Sequence, residues 1–168
     1  MKRLIYVLAI LSLVVMASGC TTSTDEWSTN NTYTGNGVTF DYPGTWNISS
    51  DSGMDDISGA TSGAAVEGSD AWFGFATIDV SSLSTEQRDS LKTTLTQTYN
   101  NMNLTTEKAI TVDGVSATLL SSPEQSSSGI YSNVAFWVKD DKVYIAAYTS
   151  TNEGTETFER ILGSFKTT

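Results

Sequence analysis

The 168-residue sequence predicts an α+β domain in which helices cover a central, mostly antiparallel β-sheet. Two pairs of alternating segments meet at tight-turn residues, which is typical of β-hairpins. The strongest strand-like segments carry apolar side chains on both sides, so the sheet needs cover on both faces. Two further segments have apolar residues at helical spacing and can supply that cover.

The first strand signals precede a long stretch of small and polar residues. Apolar and polar residues alternate over 38–42, a Pro-Gly pair predicts a turn, and a second strand starts at Trp46. Residues 49–70 are rich in Gly, Ser and Asp, which favours a long loop with a short strand at 64–67.

Residues 71–80 give the clearest single strand. Trp72 and Ile78 lie on one side of it, and Phe73 and Phe75 lie on the other. Because both sides are apolar, we expect this strand inside a sheet that is covered on both faces.

A helix is predicted over 85–101. Ser84 and Gln87 form a capping box, in which each side chain accepts a hydrogen bond from the other residue's backbone N–H. Apolar residues recur on one narrow stripe, at Leu91, Leu95, Tyr99 and Met102. The stripe predicts that this helix packs on the sheet with one side and faces water with the other.

Two hairpins and a short helix complete the domain. Asp113 and Gly114 tolerate the positive φ angles of a two-residue turn, and a second hairpin joins 131–139 to 142–149. Its register places Val138 opposite Val143, Phe136 opposite Ile145, and Trp137 opposite Tyr144. The last helix has its apolar stripe at Phe158, Ile161, Leu162 and Phe165, with Gly163 as its expected stop.

The composition excludes several classes of site. The chain has no histidine, so Ser-His-Asp triads, Cys-His nucleophiles and histidine metal sites are excluded. Its net charge is −10, which opposes nucleic-acid binding because that affinity comes largely from cations meeting phosphates. The sequence also contains no phosphate-binding loop and no nucleophile elbow. We therefore predict a non-catalytic protein without a cofactor, with a carboxylate-dependent hydrolase as the lesser alternative.

The N-terminus has the order of a secretory signal peptide. Lys2 and Arg3 precede an apolar run over 4–15, and small residues over 17–19 lead to Cys20, the only cysteine. The apolar run is shorter than the roughly 20 residues that a membrane-spanning helix needs. We therefore predict export.

Cys20 is the predicted lipidation site. The single cysteine cannot form a disulfide within the chain, and residues 16–20 resemble a lipobox, although Ala17 stands where a larger aliphatic residue is usual. Ordinary signal peptidase could cut the same bond, so lipidation and simple cleavage both remain open. A lipid with two acyl chains, of the palmitate class, would hold the protein stably at the extracytoplasmic face of the cell membrane.

Two groups of polar residues are candidate sites. Asp51, Asp55 and Asp56 cluster in the long loop and could bind a divalent cation, although their spacing does not match an EF-hand. The alternative is a solvated loop. Three sequons also occur by pattern, and they make Asn30, Asn47 and Asn103 possible N-glycosylation sites.

Aromatic residues offer a further candidate. Trp137, Tyr144 and Tyr148 could form a ligand platform, but strand residues of this size are more often core. Trp27 lies in a Ser/Thr/Asn-rich tract over 20–36, which is interpreted as a tether. If that tract is disordered, Trp27 is free to pack on the domain, on a partner or at the membrane interface.

Two stretches resemble the PsbP-like family. They are GVTFDYPGTWNI over 37–48 and the terminal hairpin and helix, NVAFWVKDDKVYIAAYTS with FERILGSF. The resemblance implies an α/β/α sandwich. It also implies partner binding without established catalysis, as in an extrinsic protein of photosystem II and a related nuclear-import factor that binds Ran. Short lipid-anchored relatives from methanogenic archaea look most similar.

Together these observations divide the chain into a signal peptide over 1–19, a tether over 20–36 and a PsbP-like domain over 37–168. We expect a membrane-anchored lipoprotein accessory to a membrane or envelope protein complex, with an unknown protein partner and no nucleic acid. The alternative is a divalent-cation or small-ligand binder that uses the acidic loop over 51–56.

Overall fold

The fold is given by a computed structural model that describes residues 26–50, 53–54 and 59–168. The element bounds, in chain order, are β1 (Asn30–Gly35), β2 (Val38–Pro43), β3 (Asn47–Ile48), β4 (Ala60–Glu67), β5 (Ala71–Asp79), α1 (Thr85–Asn101), β6 (Thr106–Val112), β7 (Val115–Ser121), β8 (Tyr131–Lys139), β9 (Lys142–Ser150), α2 (Glu156–Ser164) and β10 (Lys166–Thr167).

The strands form two antiparallel sheets. The central sheet has seven strands in the order β3-β4-β5-β9-β8-β7-β6, and a small sheet has the order β1-β2-β10. Every pairing in both sheets is antiparallel. The chain therefore adopts the predicted α+β sandwich around a mostly antiparallel sheet.

The central sheet buries apolar side chains on both faces. On one face, α2 and the small sheet cover a core that includes Phe73, Phe75, Trp137 and Tyr144. On the other face, α1 lies over a second core that includes Phe136 and Ile145. We call these the α2 face and the α1 face. Part of the predicted helical layer on the α2 face is thus supplied by the small sheet.

The local predictions agree closely with the structure. Helix α1 has the predicted bounds, and its capping box at Ser84 and Gln87 is present. The β8–β9 register pairs Val138 with Val143 and Trp137 with Tyr144, as predicted. Asp113 and Gly114 adopt the positive φ angles of 48° and 82° that a two-residue hairpin turn requires.

Three predicted boundaries are wrong. Residues 30–35, placed in the tether, form β1 and pair with β2, so the folded part begins well before residue 37. The expected short strand at 64–67 is the end of β4, which starts at Ala60 and pairs with β5. Gly163 does not stop the last helix, which runs on to Ser164. In the first two cases the partner strand fixes the structure of a segment whose own sequence favours coil.

Trp27 docks on α2 rather than extending into solvent. Its Nε1 donates to the hydroxyl of Thr157 at 3.4 Å, and the guanidinium of Arg160 lies 4.3 Å from its ring centroid. Beside it, Glu26 accepts hydrogen bonds from the indole of Trp46 and from Thr157. The chain is therefore held on the domain from residue 26 onward.

Asp113 joins three parts of the fold at the opposite end of the molecule. It accepts hydrogen bonds from Lys139 of β8 and from the backbone N–H and hydroxyl of Thr167 in β10, and Lys166 lies 3.5 Å away. Partial burial raises the pKa of Asp113, but these hydrogen bonds and the charge of Lys139 outweigh it and hold the pKa well below its usual range.

Replacing Asp113 by Asn tests this junction. Because the folded-state pKa is lowered, the carboxylate stabilises the fold above about pH 4, its unfolded value, and loses that effect as the pH falls further. We expect Asp113→Asn to cost about 1–3 kcal/mol at pH 7, with a smaller difference from wild type at pH 3, measured by urea unfolding. The exposed Asp89→Asn is the control. An equal cost of Asp113→Asn at both pH values would show that the charge is not the source.

Replacing Trp27 by Ala tests the docking of the N-terminal segment. The half-buried ring and its contact with Arg160 predict a loss of about 1–2 kcal/mol in unfolding free energy. Met102, which is 67% exposed, gives the matched control Met102→Ala, for which we expect almost no change. Equal stabilities of the two variants would mean that Trp27 does not hold the segment in solution.

Candidate functional site

A groove opens on the α2 face where the helix leaves part of the sheet uncovered. It has a volume of about 340 Å³. Strands β6, β7 and β8 form its floor, and the loop before α2 together with the first turn of α2 forms its wall. Its polar lining comprises Thr106, Lys108, Ser121, Ser122, Tyr131, Asn133, Glu153, Thr155, Glu156 and Glu159. We call it the polar groove.

Asn133 lies at the bottom of the polar groove. Residues 131, 133, 135 and 137 of β8 face the α2 layer in alternation, and Ala135 and Trp137 belong to the core there. Asn133 is only 4% exposed, yet its amide has no hydrogen-bond partner among the described residues. The amide atoms are not among the described side-chain atoms that are shut off from solvent without a partner, so they reach the groove, where a hydrogen bond from a ligand can replace one to water.

Charges in the polar groove are unevenly paired. The ammonium of Lys108 donates to both carboxylate oxygens of Glu159, at 2.8 and 2.7 Å. This bond lowers the pKa of Glu159 more than partial burial raises it, and the Thr155 hydroxyl also lowers it. Glu153 and Glu156 make no ion pair with any described residue. The groove therefore retains two carboxylates available to a cation.

A smaller acidic pocket of about 90 Å³ adjoins the polar groove on the other side of the same loop. Glu26, Asp70 and Glu156 line it, together with Tyr148 and Thr157. The loop between the two cavities is held in place, because Asn152 donates to Asp70 at 2.6 Å and the backbone of Thr151 donates to that of Asp70. This end of the molecule thus presents a fixed acidic surface.

A second groove of about 340 Å³ runs along α1 on the opposite face. Leu91 and Leu95 of the helix face Phe136 and Val143 of the sheet across it, with Val138 at its margin. Arg88 and Lys92 lie on its rim. No residue of α1 is buried, so the helix covers this face only loosely.

The structure shows where the three aromatic candidates for a ligand platform lie. Trp137 and Tyr144 are buried and stack at 5.3 Å between ring centroids, and Tyr148 is buried against Phe158. They are core residues, as expected for strand residues of this size, and do not form a surface platform.

The other predicted sites are exposed to solvent or lie outside the described residues. Asn30, Asn47 and Asn103 are exposed, which leaves their glycosylation a prediction. Cys20 and the candidate cation ligands Asp51, Asp55 and Asp56 fall outside the part of the chain that the structure describes. Within that part, no three Asp, Glu, His or Cys residues are placed to hold a metal ion, and no helix is long and apolar enough to cross a membrane.

The polar groove was not predicted from the sequence. One signal was available, because Asn133 interrupts the inward-facing positions of β8 between Tyr131 and Ala135. A polar residue at a core-facing position is informative, since such residues are usually paired. The contributions of Glu153 and Glu156 depend on how α2 packs on the sheet, which periodicity does not reveal.

Comparison with solved structures finds similarity to proteins of low sequence identity. Cyanobacterial PsbP from Synechocystis is 14% identical with a TM-score of 0.57, covering 90% of this chain and 99% of that chain. A Bacteroides thetaiotaomicron protein is 13% identical with a TM-score of 0.50, covering 79% and 45%. The Saccharomyces cerevisiae Ran-binding protein Mog1p is 9% identical with a TM-score of 0.46, covering 83% and 95%.

The family comparison is more specific. No curated protein shows a significant sequence match to the chain. The family model described as PsbP-like protein matches residues 14–167, which is nearly the whole sequence and agrees with the resemblance noted at both ends of the domain. The chain therefore belongs to the PsbP-like protein family.

Proposed function

We propose that this protein is an exported lipoprotein, anchored through Cys20 at the outer face of the cytoplasmic membrane, whose domain acts by binding and not by catalysis. Its role is that of an accessory subunit of a membrane or envelope protein complex. Membership of the PsbP-like family supports a non-catalytic accessory or binding domain. The anchor and the partner are the further steps of the proposal.

The sequence before the domain supports the anchor. A charged start, an apolar run and small residues lead directly to the single cysteine. After removal of residues 1–19, seven Lys and Arg remain against 19 Asp and Glu, a formal charge of −12. A net charge this negative opposes attachment to anionic lipid through a basic patch, so a covalent lipid is the simpler means of attachment.

The observation that carries the proposal is the lipobox-like order ending at Cys20, and the position of Glu26 limits how far the domain can lie from that anchor. Because Glu26 and Trp27 are held on the domain, only residues 21–25 separate the domain from Cys20. Even fully extended, the six steps from residue 20 to residue 26 reach about 20 Å. A lipid on Cys20 would thus keep the end of the domain that carries Glu26 and the polar groove close to the membrane surface.

Mass spectrometry of the protein from its native cells tests the anchor. We expect a mature N-terminus at Cys20 carrying two acyl chains, and about tenfold less membrane-bound protein for Cys20→Ser, since the hydrophobic attachment is lost. Thr21→Ala is the control and should stay membrane-bound. An unacylated thiol in the native protein would overturn the proposal.

Crosslinking in the same cells tests the partner. An accessory subunit should crosslink to a defined membrane or envelope protein. The rival function, cation binding through Asp51, Asp55 and Asp56, instead predicts heat in calorimetry with calcium, manganese or zinc that disappears when all three are changed to Asn. A defined partner without such heat supports the proposal, and such heat without a partner favours the rival.

A further inference from the structure

The polar groove combines features that point to one class of ligand. Glu153 and Glu156 are exposed carboxylates without ion pairs among the described residues, and they stand at the wall of the groove. Asn133, buried on its floor, has an amide without a hydrogen-bond partner in the same set. A group that carries positive charge and several N–H donors would satisfy the carboxylates and the carbonyl oxygen of this amide together.

The size and surroundings of the groove favour a side chain over a bare ion. A volume of about 340 Å³ is much larger than a single cation requires. No metal-binding cluster of Asp, Glu, His or Cys occurs in the described part of the chain. Lys108 is already occupied by Glu159, so it does not neutralise the two free carboxylates. Arginine and lysine side chains combine a positive charge and several N–H donors with a long, flexible stem.

The polar groove is also preorganised. The loop that carries Glu153 is fixed by the bond between Asn152 and Asp70 and by that between Gln125 and Thr151. The neighbouring acidic pocket adds Glu26 and Asp70 to the same end of the domain. A ligand therefore meets an acidic surface that needs little ordering before it binds.

We propose that the polar groove is the docking site for a basic segment of a partner protein, with an arginine or lysine side chain inserted between Glu153, Glu156 and Asn133. This proposal rests on the proposed accessory function and specifies the chemistry of the partner. The groove lies at the same end as Glu26, so under the proposed anchoring the segment belongs to a loop at the membrane surface.

A peptide with two arginines, Gly-Arg-Gly-Arg-Gly labelled with fluorescein, serves as the probe. Its binding to the full-length protein in neutral detergent is followed by fluorescence anisotropy at low and physiological salt. We expect saturable binding that weakens with salt and is absent for the peptide with citrulline in place of arginine. Failure of this binding overturns the groove proposal, whereas failure of acylation overturns only the anchor, because the detergent assay does not need the lipid.

Variants separate the groove from the general acidity of the protein. The double variant Glu153→Gln with Glu156→Gln should lower the affinity for the peptide by about tenfold. The control, Glu107→Gln with Asp89→Asn, removes the same charge outside the groove and should change the affinity less than twofold. Equal losses of affinity in the two double variants would show that net charge alone causes the effect, and would overturn the proposal. Spermidine binding as tightly as the peptide, or more tightly, would overturn the choice of a protein segment.

Asn133→Ala gives the sharpest test. A purely structural asparagine would lose stability on replacement, but an amide without a partner should leave the melting temperature unchanged or raised. We expect this stability together with peptide affinity at least about fivefold weaker, because a hydrogen bond to a charged group is lost. Wild-type affinity in Asn133→Ala, or a clear loss of stability, would contradict the role assigned to Asn133.

Discussion

The packing of Phe40 against Phe165 holds the layers of this domain together. The two rings stack at 5.7 Å between centroids with an interplanar angle of 1°. Phe40 comes from β2, and Phe165 follows α2, so the pair joins the first and last parts of the folded chain. Both rings also contact Phe75 of the central sheet edge to face. The sheet is apolar on this face, and only cover from both termini buries it.

This arrangement explains why the two faces differ. Helix α2 buries Phe158, Ile161 and Leu162, whereas no residue of α1 is buried. Core packing therefore fixes the α2 face firmly, and the α1 face is covered by half-buried side chains such as Leu91 and Leu95. Because α2 and the small sheet leave part of strands β6 to β8 uncovered at the acidic end, the polar groove stays open on the firmly packed face, where its residues are held in place.

The elements that sequence patterns predicted are those whose rules are local. The capping box at Ser84 and the Asp-Gly turn at Asp113 each depend on a few adjacent residues, and both were predicted at the correct positions. Strand β1 has no such signal, since its sequence is polar and its pairing with β2 supplies the structure. The polar groove was missed for the same reason. Asn133, Glu153 and Lys108 are distant in sequence, and tertiary packing alone brings them to one opening.

The two ends of the central sheet carry different charges, which bears on how the domain would sit at a membrane. Asp79, Lys142 and Lys139 are cross-strand neighbours at one end, and Ala71, Ser150 and Tyr131 are neighbours at the other, about 26 Å away along the strands. Arg88 and Lys166 join the first end through their contacts with Asp141 and Asp113. The acidic pocket and the polar groove occupy the second.

Under the proposed anchoring, the short connection from Cys20 brings the second, acidic end toward the lipid. Anionic headgroups repel it, so the lipid tether alone does not press the domain onto the bilayer. A basic loop of a membrane protein removes this conflict, because it neutralises Glu153 and Glu156 while occupying the space between the domain and the headgroups. Anchor and groove then act together, since the tether raises the local concentration of a partner that is itself confined to the membrane. Even a weak contact in the groove would suffice under that constraint.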